Sequence, residues 1–248
     1  MRHQPAGHGP EPSPEPGPDP GPGPGPSAHR AAVSTAAVLA VCSVLLVTLV
    51  AAEWHPLLAL DSGVSRTTHG WAVHERGVTH VFRILTDWVW DPLTMRLVGA
   101  GAALWLVLRR AAWRPALWLV LTVALAAGVQ QVVKAAVGRS RPVWPDPVDS
   151  ARYQAFPSGH AMTATVVCGL LLWLLHRRGA SKALWRTAVA VSLVTVVGVG
   201  LTRVWLGIHW PSDVVGGWLL GALVVTIAVT VYEWPRGSRA GRSSRRPG

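Results

Sequence analysis

The sequence predicts an all-α fold, a polytopic membrane protein built as a bundle of six transmembrane helices. Half of the residues are hydrophobic and only 14% are charged, whereas a soluble domain carries about 25% charged residues. The apolar residues also come in long uninterrupted blocks instead of alternating with polar ones. Blocks of this kind are typical of helices that cross a bilayer, which need roughly 20 apolar residues each.

Six apolar blocks give the predicted spans. The second is short, carries Arg96 near its start, and can begin earlier, near Trp88. The apolar core of the first block is too long for a signal peptide, so we interpret that block as an uncleaved anchor. The six predicted spans are Ala31–Ala52, Leu93–Leu108, Ala116–Val133, Ser158–Leu175, Ala183–Leu201 and Pro211–Val231.

The two ends of the chain differ from the membrane domain, which we place at residues 31–232. Residues 1–30 are dominated by proline, glycine and small polar residues, a composition typical of a disordered tail. This tail is interpreted as a spacer, with a proline-rich docking segment as the alternative. Residues 233–248 form a second tail, basic and also expected to be disordered.

A stretch of about 40 residues, Glu53–Pro92, is expected to be a loop between the first two spans. Within it, Trp71–Trp90 has apolar residues at helical spacing mixed with arginine and histidine. Two structures fit this pattern: an amphipathic helix on the membrane surface, or a cap packed over the helix bundle.

The net charge of +11 predicts the orientation of the spans. Arginine and lysine cluster in the loops after the second and fourth spans and in the C-terminal tail, and such clusters stay in the cytoplasm. We therefore expect a multi-pass protein of the cell membrane with both termini cytoplasmic. Because no basic helix is interleaved with aromatic residues, the charge does not indicate nucleic-acid binding. The arginine-rich composition favours a bacterial source.

The opposite, extracytoplasmic face collects groups suited to phosphate binding. Lys134, Arg141 and Arg203 fall at span ends on this face. Three cations can hold the charge on the three equatorial oxygens of a transferring phosphoryl group. Ser158 and Gly159 begin the fourth span, where free backbone N–H groups and the helix dipole attract anions.

Two histidines on the same face can divide the chemistry of phosphoryl transfer. His209 has Asp213 four residues later, about one helical turn away, and Pro211 suits the first position of a helix. A carboxylate that binds one ring N–H fixes the tautomer and leaves the other nitrogen free to attack. We therefore expect His209 to be the nucleophile and His160 the general acid.

A metal site is the main alternative for these groups, because two histidines and an aspartate can be ligands. The nearby cations oppose the binding of another positive charge, so we expect neither a metal nor another cofactor. The two cysteines, Cys42 and Cys168, lie inside apolar blocks and are expected to be buried.

Taken together, these segments resemble the three-part signature of the type 2 phosphatidic acid phosphatase superfamily. The matching motifs are Lys134 with Arg141-Pro142, then Pro157-Ser158-Gly159-His160, then Arg203 with His209 and Asp213. The resemblance covers roughly Leu93 to Val231. The third motif commonly begins Ser-Arg, and here it begins Thr202-Arg203, so a hydrogen-bonding role for Thr202 is expected to survive the added methyl group.

The resemblance implies metal-independent hydrolysis of a phosphate monoester or diphosphate through a phosphohistidine. Substrates of similar proteins include phosphatidic acid, phosphatidylglycerophosphate and polyprenyl diphosphates, so the expected partners are a lipid phosphate and the bilayer, with no protein partner implied. Two other functions stay open: transfer of the phosphoryl group to an alcohol, and a non-enzymatic role in lipid binding or transport.

Because cations and not a metal are expected to hold the phosphate, phosphate release should survive treatment with EDTA. The measurement is phosphate release by the purified protein before and after chelation. Activity that disappears with EDTA and returns with a divalent cation would contradict the metal-free site.

Overall fold

The computed structural model describes residues 26–151 and 153–234. This part of the chain contains α-helices and one π-helical turn, and no strand, which confirms the all-α class. The elements are α1 (Pro26–Ala51), α2 (His55–His74), α3 (Arg76–Ile84), the π turn (Leu85–Val89), α4 (Pro92–Arg110), α5 (Trp113–Val137), α6 (Gly159–Arg177), α7 (Lys182–Trp205) and α8 (Pro211–Glu233).

Six of these helices, α1 and α4 to α8, are long and apolar enough to cross a membrane. They coincide with the six predicted spans and extend most of them by a few residues. The second span begins at Pro92, because the Asp91 carboxylate accepts the backbone N–H of Leu93 at 2.7 Å and caps the helix. An aspartate in this position satisfies a backbone donor that has no partner within the helix.

The predicted tails lie mostly outside the described residues. Helix α1 begins at Pro26, before the predicted start at Ala31, and α8 ends at Glu233.

The stretch Glu53–Pro92 connects the first two spans as expected, and most of it is helical. It forms α2, α3 and the π turn, which we call the cap. The cap packs on α7 and α8, so the structure favours the packed alternative over a surface helix. Polar residues point into this contact, including the buried Asp61, His69 and Thr86, which is why the sequence pattern does not resemble that of a packed helix.

A tryptophan of the bundle fixes the cap in place. Trp205 of α7 donates its indole N–H to the Thr79 hydroxyl at 2.9 Å, and this hydroxyl donates to the Ala72 carbonyl at 2.7 Å. These two linked hydrogen bonds therefore join α2, α3 and α7. They also give the buried polar groups the partners that burial requires.

Helix α6 is the centre of the bundle and contacts α4, α5, α7 and α8. Small residues let α8 approach it closely. A Cβ added at Gly217 would lie 2.7 Å from the backbone oxygen of Ser158 and 3.0 Å from the Ala161 Cβ. The first turns of α6 and α8 therefore meet without room for another methyl group.

The basic loops and both ends of the described chain lie at the same end of the bundle. The Arg178 guanidinium is 4.7 Å from the Trp105 ring centroid, and Arg177 pairs with Glu233. At the same end, the rings of His29 and Trp234 are 4.2 Å apart. The basic groups that were predicted to share one side thus lie at one end of the bundle.

The expectation that both cysteines are buried is half wrong. Cys168 is buried in the bundle, but Cys42 is exposed on α1. An apolar block does not distinguish a face that contacts other helices from one that faces lipid, because both are apolar.

The close approach of α6 and α8 gives a stability prediction. Gly217→Ala should lower the free energy of unfolding by about 1–3 kcal/mol, because the methyl group meets backbone that cannot move aside. Gly101→Ala is the control, since an added Cβ there has nothing within 4 Å, and it should be neutral or slightly stabilising. Thermal unfolding in detergent measures both, and equal midpoints would contradict the close packing.

Candidate active site

The sequence-predicted site residues come together at the end of the bundle opposite the basic loops. They lie on the last turns of α5 and α7, the first turns of α6 and α8, and the two segments that join these helices. The residues are Lys134, Arg141, Ser158, Gly159, His160, Arg203, His209 and Asp213.

Three cations of this site are held by neutral groups. Lys134 and Arg141 both donate to the Gln154 carbonyl, and the Arg203 Nη1 donates to the Thr86 hydroxyl at 3.1 Å. Among the described residues, no carboxylate oxygen lies within 4.0 Å of the charged nitrogens of these three side chains. Burial of uncompensated cations is costly, so the arrangement favours an anion as ligand.

Two buried polar atoms near these cations have no partner among the described residues. They are the Ser158 hydroxyl and the Nε of Arg203. Ser158 is the residue before α6, and its side chain makes no capping bond, while its backbone N–H donates to the Asp213 carbonyl at 2.9 Å. Buried polar atoms are nearly always hydrogen-bonded, so both atoms are suited to the oxygens of a bound anion.

His209 and Asp213 form the pair that their spacing predicts. The Nδ1 of His209 is 3.2 Å from Asp213 Oδ2, and the same oxygen accepts the Trp210 backbone N–H at 2.8 Å. On the other side of the ring, Arg141 Nη1 lies 3.1 Å from Nε2. A guanidinium can only donate, so Nε2 is unprotonated, Nδ1 carries the hydrogen, and Nε2 holds the lone pair.

The surroundings of His209 keep its ring neutral. Complete burial lowers its pKa well below the ordinary histidine value, and the charges of Arg141, Arg203 and Lys134 lower it further. An imidazole in this state keeps the lone pair that a nucleophile needs near neutral pH.

His160 lies in the first turn of α6 and is half-buried. It is within electrostatic range of Arg203, His209, Arg141 and Lys134, which places it beside the same group of cations. The residue before it, Gly159, presses against α5, because an added Cβ would lie 2.6 Å from the Gln130 side-chain nitrogen.

The less central motif residues take other positions. Pro157 is buried and Pro142 is half-buried beside Arg141. Thr202 is buried, and its hydroxyl donates to the Val199 carbonyl of its own helix at 2.8 Å. The threonine thus uses its hydroxyl within α7.

Sequence reasoning missed a second layer of polar groups. Arg139 Nη1 donates to Asp213 Oδ1 and to the Ser212 hydroxyl, both at 2.7 Å, and its Nη2 donates to Asp61 Oδ2 at 2.7 Å. Arg139 was visible only as one more cation after the third span. One feature of the sequence could have pointed to Asp61: it is a single acidic residue that directly follows the apolar run Leu57–Leu60.

The segment that carries Arg141 is fixed to the cap. Trp144 donates to the Gly207 carbonyl at 2.8 Å, and its ring stacks on His69 with centroids 4.1 Å apart. His69 in turn pairs with Asp146 at 3.1 Å. The cap therefore positions Arg141 through this segment and Arg203 through Thr86.

Comparison with known proteins identifies relatives of this chain. The sequence model of the PAP2 superfamily matches residues 115–236. An undecaprenyl-diphosphatase of Sulfolobus acidocaldarius is 29% identical over 154 residues, 58% of this chain and 64% of the relative. A decaprenylphosphoryl-5-phosphoribose phosphatase of Mycobacterium tuberculosis is 33% identical over 159 residues, 63% of this chain and 77% of the relative.

A solved structure of a PAP2-type protein also resembles this chain. The crystal structure of a transmembrane PAP2-type phosphatidylglycerolphosphate phosphatase from Bacillus subtilis matches with a TM-score of 0.61 and 25% identity, over 80% of this chain and 98% of that one. The chain belongs to the PAP2 superfamily. It spans less than two thirds of the archaeal relative, 64% of its length.

The unpartnered Ser158 hydroxyl gives a binding prediction. Ser158→Ala should weaken binding of inorganic phosphate about ten-fold, because it removes a donor to a charged ligand, and should leave the thermal midpoint unchanged. Calorimetric titration with phosphate and thermal unfolding in detergent measure the two effects.

Ser181→Ala is the matched control, because this serine caps α7 at the other end of the bundle by accepting the Leu184 N–H at 3.3 Å. It should cost about 1 kcal/mol of stability and leave phosphate binding unchanged. If both variants show the same pattern, Ser158 is only a helix cap.

Proposed function

We propose that this protein is an integral membrane lipid phosphatase, which hydrolyses a phosphate monoester or diphosphate of a lipid through a phosphohistidine and without a metal. One observation carries the proposal: the unprotonated Nε2 of a neutral, buried His209 lies beside cations to which the described residues offer no carboxylate partner. This is the arrangement that attack on a phosphate requires.

The phosphate group is held by charge and by backbone. Lys134, Arg141 and Arg203 neutralise the phosphoryl oxygens, and the orphaned Ser158 hydroxyl and Arg203 Nε supply two further donors. The charge on the equatorial oxygens grows more dispersed during transfer, so fixed donors around it stabilise the transition state. Arg141 donates to Nε2, so its guanidinium is within reach of a phosphate that is attacked by this nitrogen.

The chemistry proceeds in two steps. In the first, the Nε2 lone pair attacks phosphorus, the bond to the lipid oxygen breaks, and His160 gives that oxygen a proton. In the second, a water attacks the phosphohistidine, His160 takes a proton from the water, and the P–N bond breaks. Asp213 holds Nδ1–H throughout and balances the charge on the ring.

A lipid tail also has a place to bind. An apolar groove of about 440 Å³ lies between the cap and helices α7 and α8, and Pro211 and Val214, close after His209 in the chain, line it. Relatives named for undecaprenyl diphosphate and for a decaprenyl-linked phosphate support a lipid phosphate as the substrate class. Phosphatidic acid, phosphatidylglycerophosphate and polyprenyl diphosphate are the candidates.

The distribution of charge supports an extracytoplasmic site. The basic loops lie at the opposite end of the bundle from His209, together with both ends of the described chain. Loops rich in arginine stay in the cytoplasm, so both termini are cytoplasmic and the site faces the other compartment.

The test is a phosphate-release screen of the purified protein against those three lipids and against soluble phosphates. His209→Ala should reduce release by at least about a thousand-fold, because the variant lacks the nitrogen that attacks phosphorus. A wild-type protein that is inactive on every lipid, or a His209→Ala variant with full activity, would overturn the proposal. If the substrate carries a radiolabelled phosphate, transfer of that phosphate to an added alcohol would instead identify a phosphotransferase.

A second variant separates the roles of the two histidines. His160→Asn should slow hydrolysis of an alkyl phosphate by about 10²–10⁴-fold, the usual contribution of a general acid. An aryl phosphate such as p-nitrophenyl phosphate needs no proton on its leaving group, so its first step should be much less affected. His209→Ala should abolish both reactions, and equal losses in the rate of phosphoenzyme formation from the two substrates in His160→Asn would contradict the acid role.

A further inference from the structure

A buried network of two carboxylates and one guanidinium lies behind the His209–Asp213 pair. Arg139 is at its centre, with Nη1 on Asp213 Oδ1 and Nη2 on Asp61 Oδ2, each at 2.7 Å. The Asp61 and Asp213 side chains are 1% and 0% exposed, and that of Arg139 is 10% exposed. Ion pairs shielded to this extent are screened little by solvent, so their geometry is strongly determined.

Within this network, Asp213 uses both carboxylate oxygens. Oδ2 accepts from His209 and from the Trp210 backbone, and Oδ1 accepts from Arg139. The direction in which Oδ2 faces the imidazole therefore depends on what Oδ1 binds. Arg139 sets the rotation of this carboxylate about its side chain.

Arg139 comes from the segment after α5 and not from a helix. Asp61 supplies the second anchor. Its Oδ2 accepts from Arg139 and from the Ser212 hydroxyl, while its Oδ1 accepts the Ser212 backbone N–H at 2.9 Å. One carboxylate of the cap thus binds both the guanidinium and the first turn of α8, which carries Asp213.

The charges also explain why Arg139 does not join the phosphate site. In the part of the chain that the structure describes, Lys134, Arg141 and Arg203 have no carboxylate within 4.0 Å, whereas Arg139 has two. The Trp210 ring, 5.6 Å from the guanidinium carbon, covers it on another side. Without Asp61, Arg139 would be left with one carboxylate, that of Asp213.

We propose that Asp61 is a positioning residue of the phosphatase reaction, which acts through Arg139 to orient Asp213 and, through it, the nucleophilic ring of His209. This inference rests on the proposed function. It makes the cap, which lies outside the matched residues 115–236, a part of the machinery that sets the reaction rate.

The first test compares Asp61→Asn with wild type on the best substrate of the screen. The turnover number kcat, counted per enzyme molecule able to form the phosphoenzyme, should fall by about 10- to 100-fold, because misorientation of a reacting group has effects of this size. KM and the calorimetric affinity for inorganic phosphate should stay within about two-fold, since the phosphate-binding cations are untouched.

Glu75→Gln is the matched control, a carboxylate changed to an amide at the end of the same helix. Glu75 is exposed, and its variant should keep the wild-type kcat. Arg139→Lys keeps the charge but not the fork that bridges two carboxylates, so it should lose kcat as Asp61→Asn does.

The double variant Asp61→Asn/Arg139→Gln distinguishes positioning from a purely structural role. This variant keeps Asp213 and removes both charges of the Asp61–Arg139 pair. Because neither charge of that pair is left without its partner, the protein should fold even if Asp61→Asn does not. Positioning predicts that kcat in the double variant equals that of Arg139→Gln alone. Recovery of wild-type kcat in the double variant would show that the pair serves only charge balance and would overturn the inference.

The remaining outcomes separate the two proposals. An active wild type with an Asp61→Asn variant of unchanged kcat overturns the role of Asp61 and leaves the phosphatase function standing. A wild type that releases no phosphate from any lipid overturns the function, and the role of Asp61 in it falls as well.

Discussion

The carboxylate of Asp213 is the point on which the geometry of the site depends. It binds His209 and the Trp210 backbone through one oxygen and Arg139 through the other, and the backbone carbonyl of the same residue accepts the Ser158 N–H. A buried carboxylate is tolerated only when its lone pairs are satisfied and its charge is balanced. The segment after α5, the start of α6 and the start of α8 must therefore all be in place before Asp213 can be buried.

The excess of positive charge beside this carboxylate has a structural cost, which the cap helps to reduce. Thr86 of the π turn solvates Arg203, and backbone carbonyls of residues 153, 154 and 208 accept from Arg141 and Lys134. Neutral acceptors hold the cations in position without cancelling their charge. The site therefore keeps a positive potential for an anion, which paired carboxylates would have removed.

The sequence predicted the parts of the structure that depend on local pattern. The spans follow from runs of apolar residues, and the His209–Asp213 pair follows from a four-residue spacing at a helix start. The cap stayed one of two alternatives, because its polar residues are buried and bonded, so α2 lacks the apolar stripe that identifies a packed helix. Arg139 lies 78 residues from Asp61, and Thr86 lies 117 residues from Arg203. No pattern in a single sequence pairs residues over such distances.

The backbone bond from Ser158 to Asp213 has a consequence for the energetics of binding. It joins the first turn of α6 to the first turn of α8 at 2.9 Å, so the buried Ser158 hydroxyl and the carboxylate that is bonded to the imidazole belong to one rigid unit. The entropy of ordering these groups is lost when the protein folds, not when a ligand arrives. A phosphate group thus meets donors that are already oriented, and its binding energy need not be used to reorganise the site.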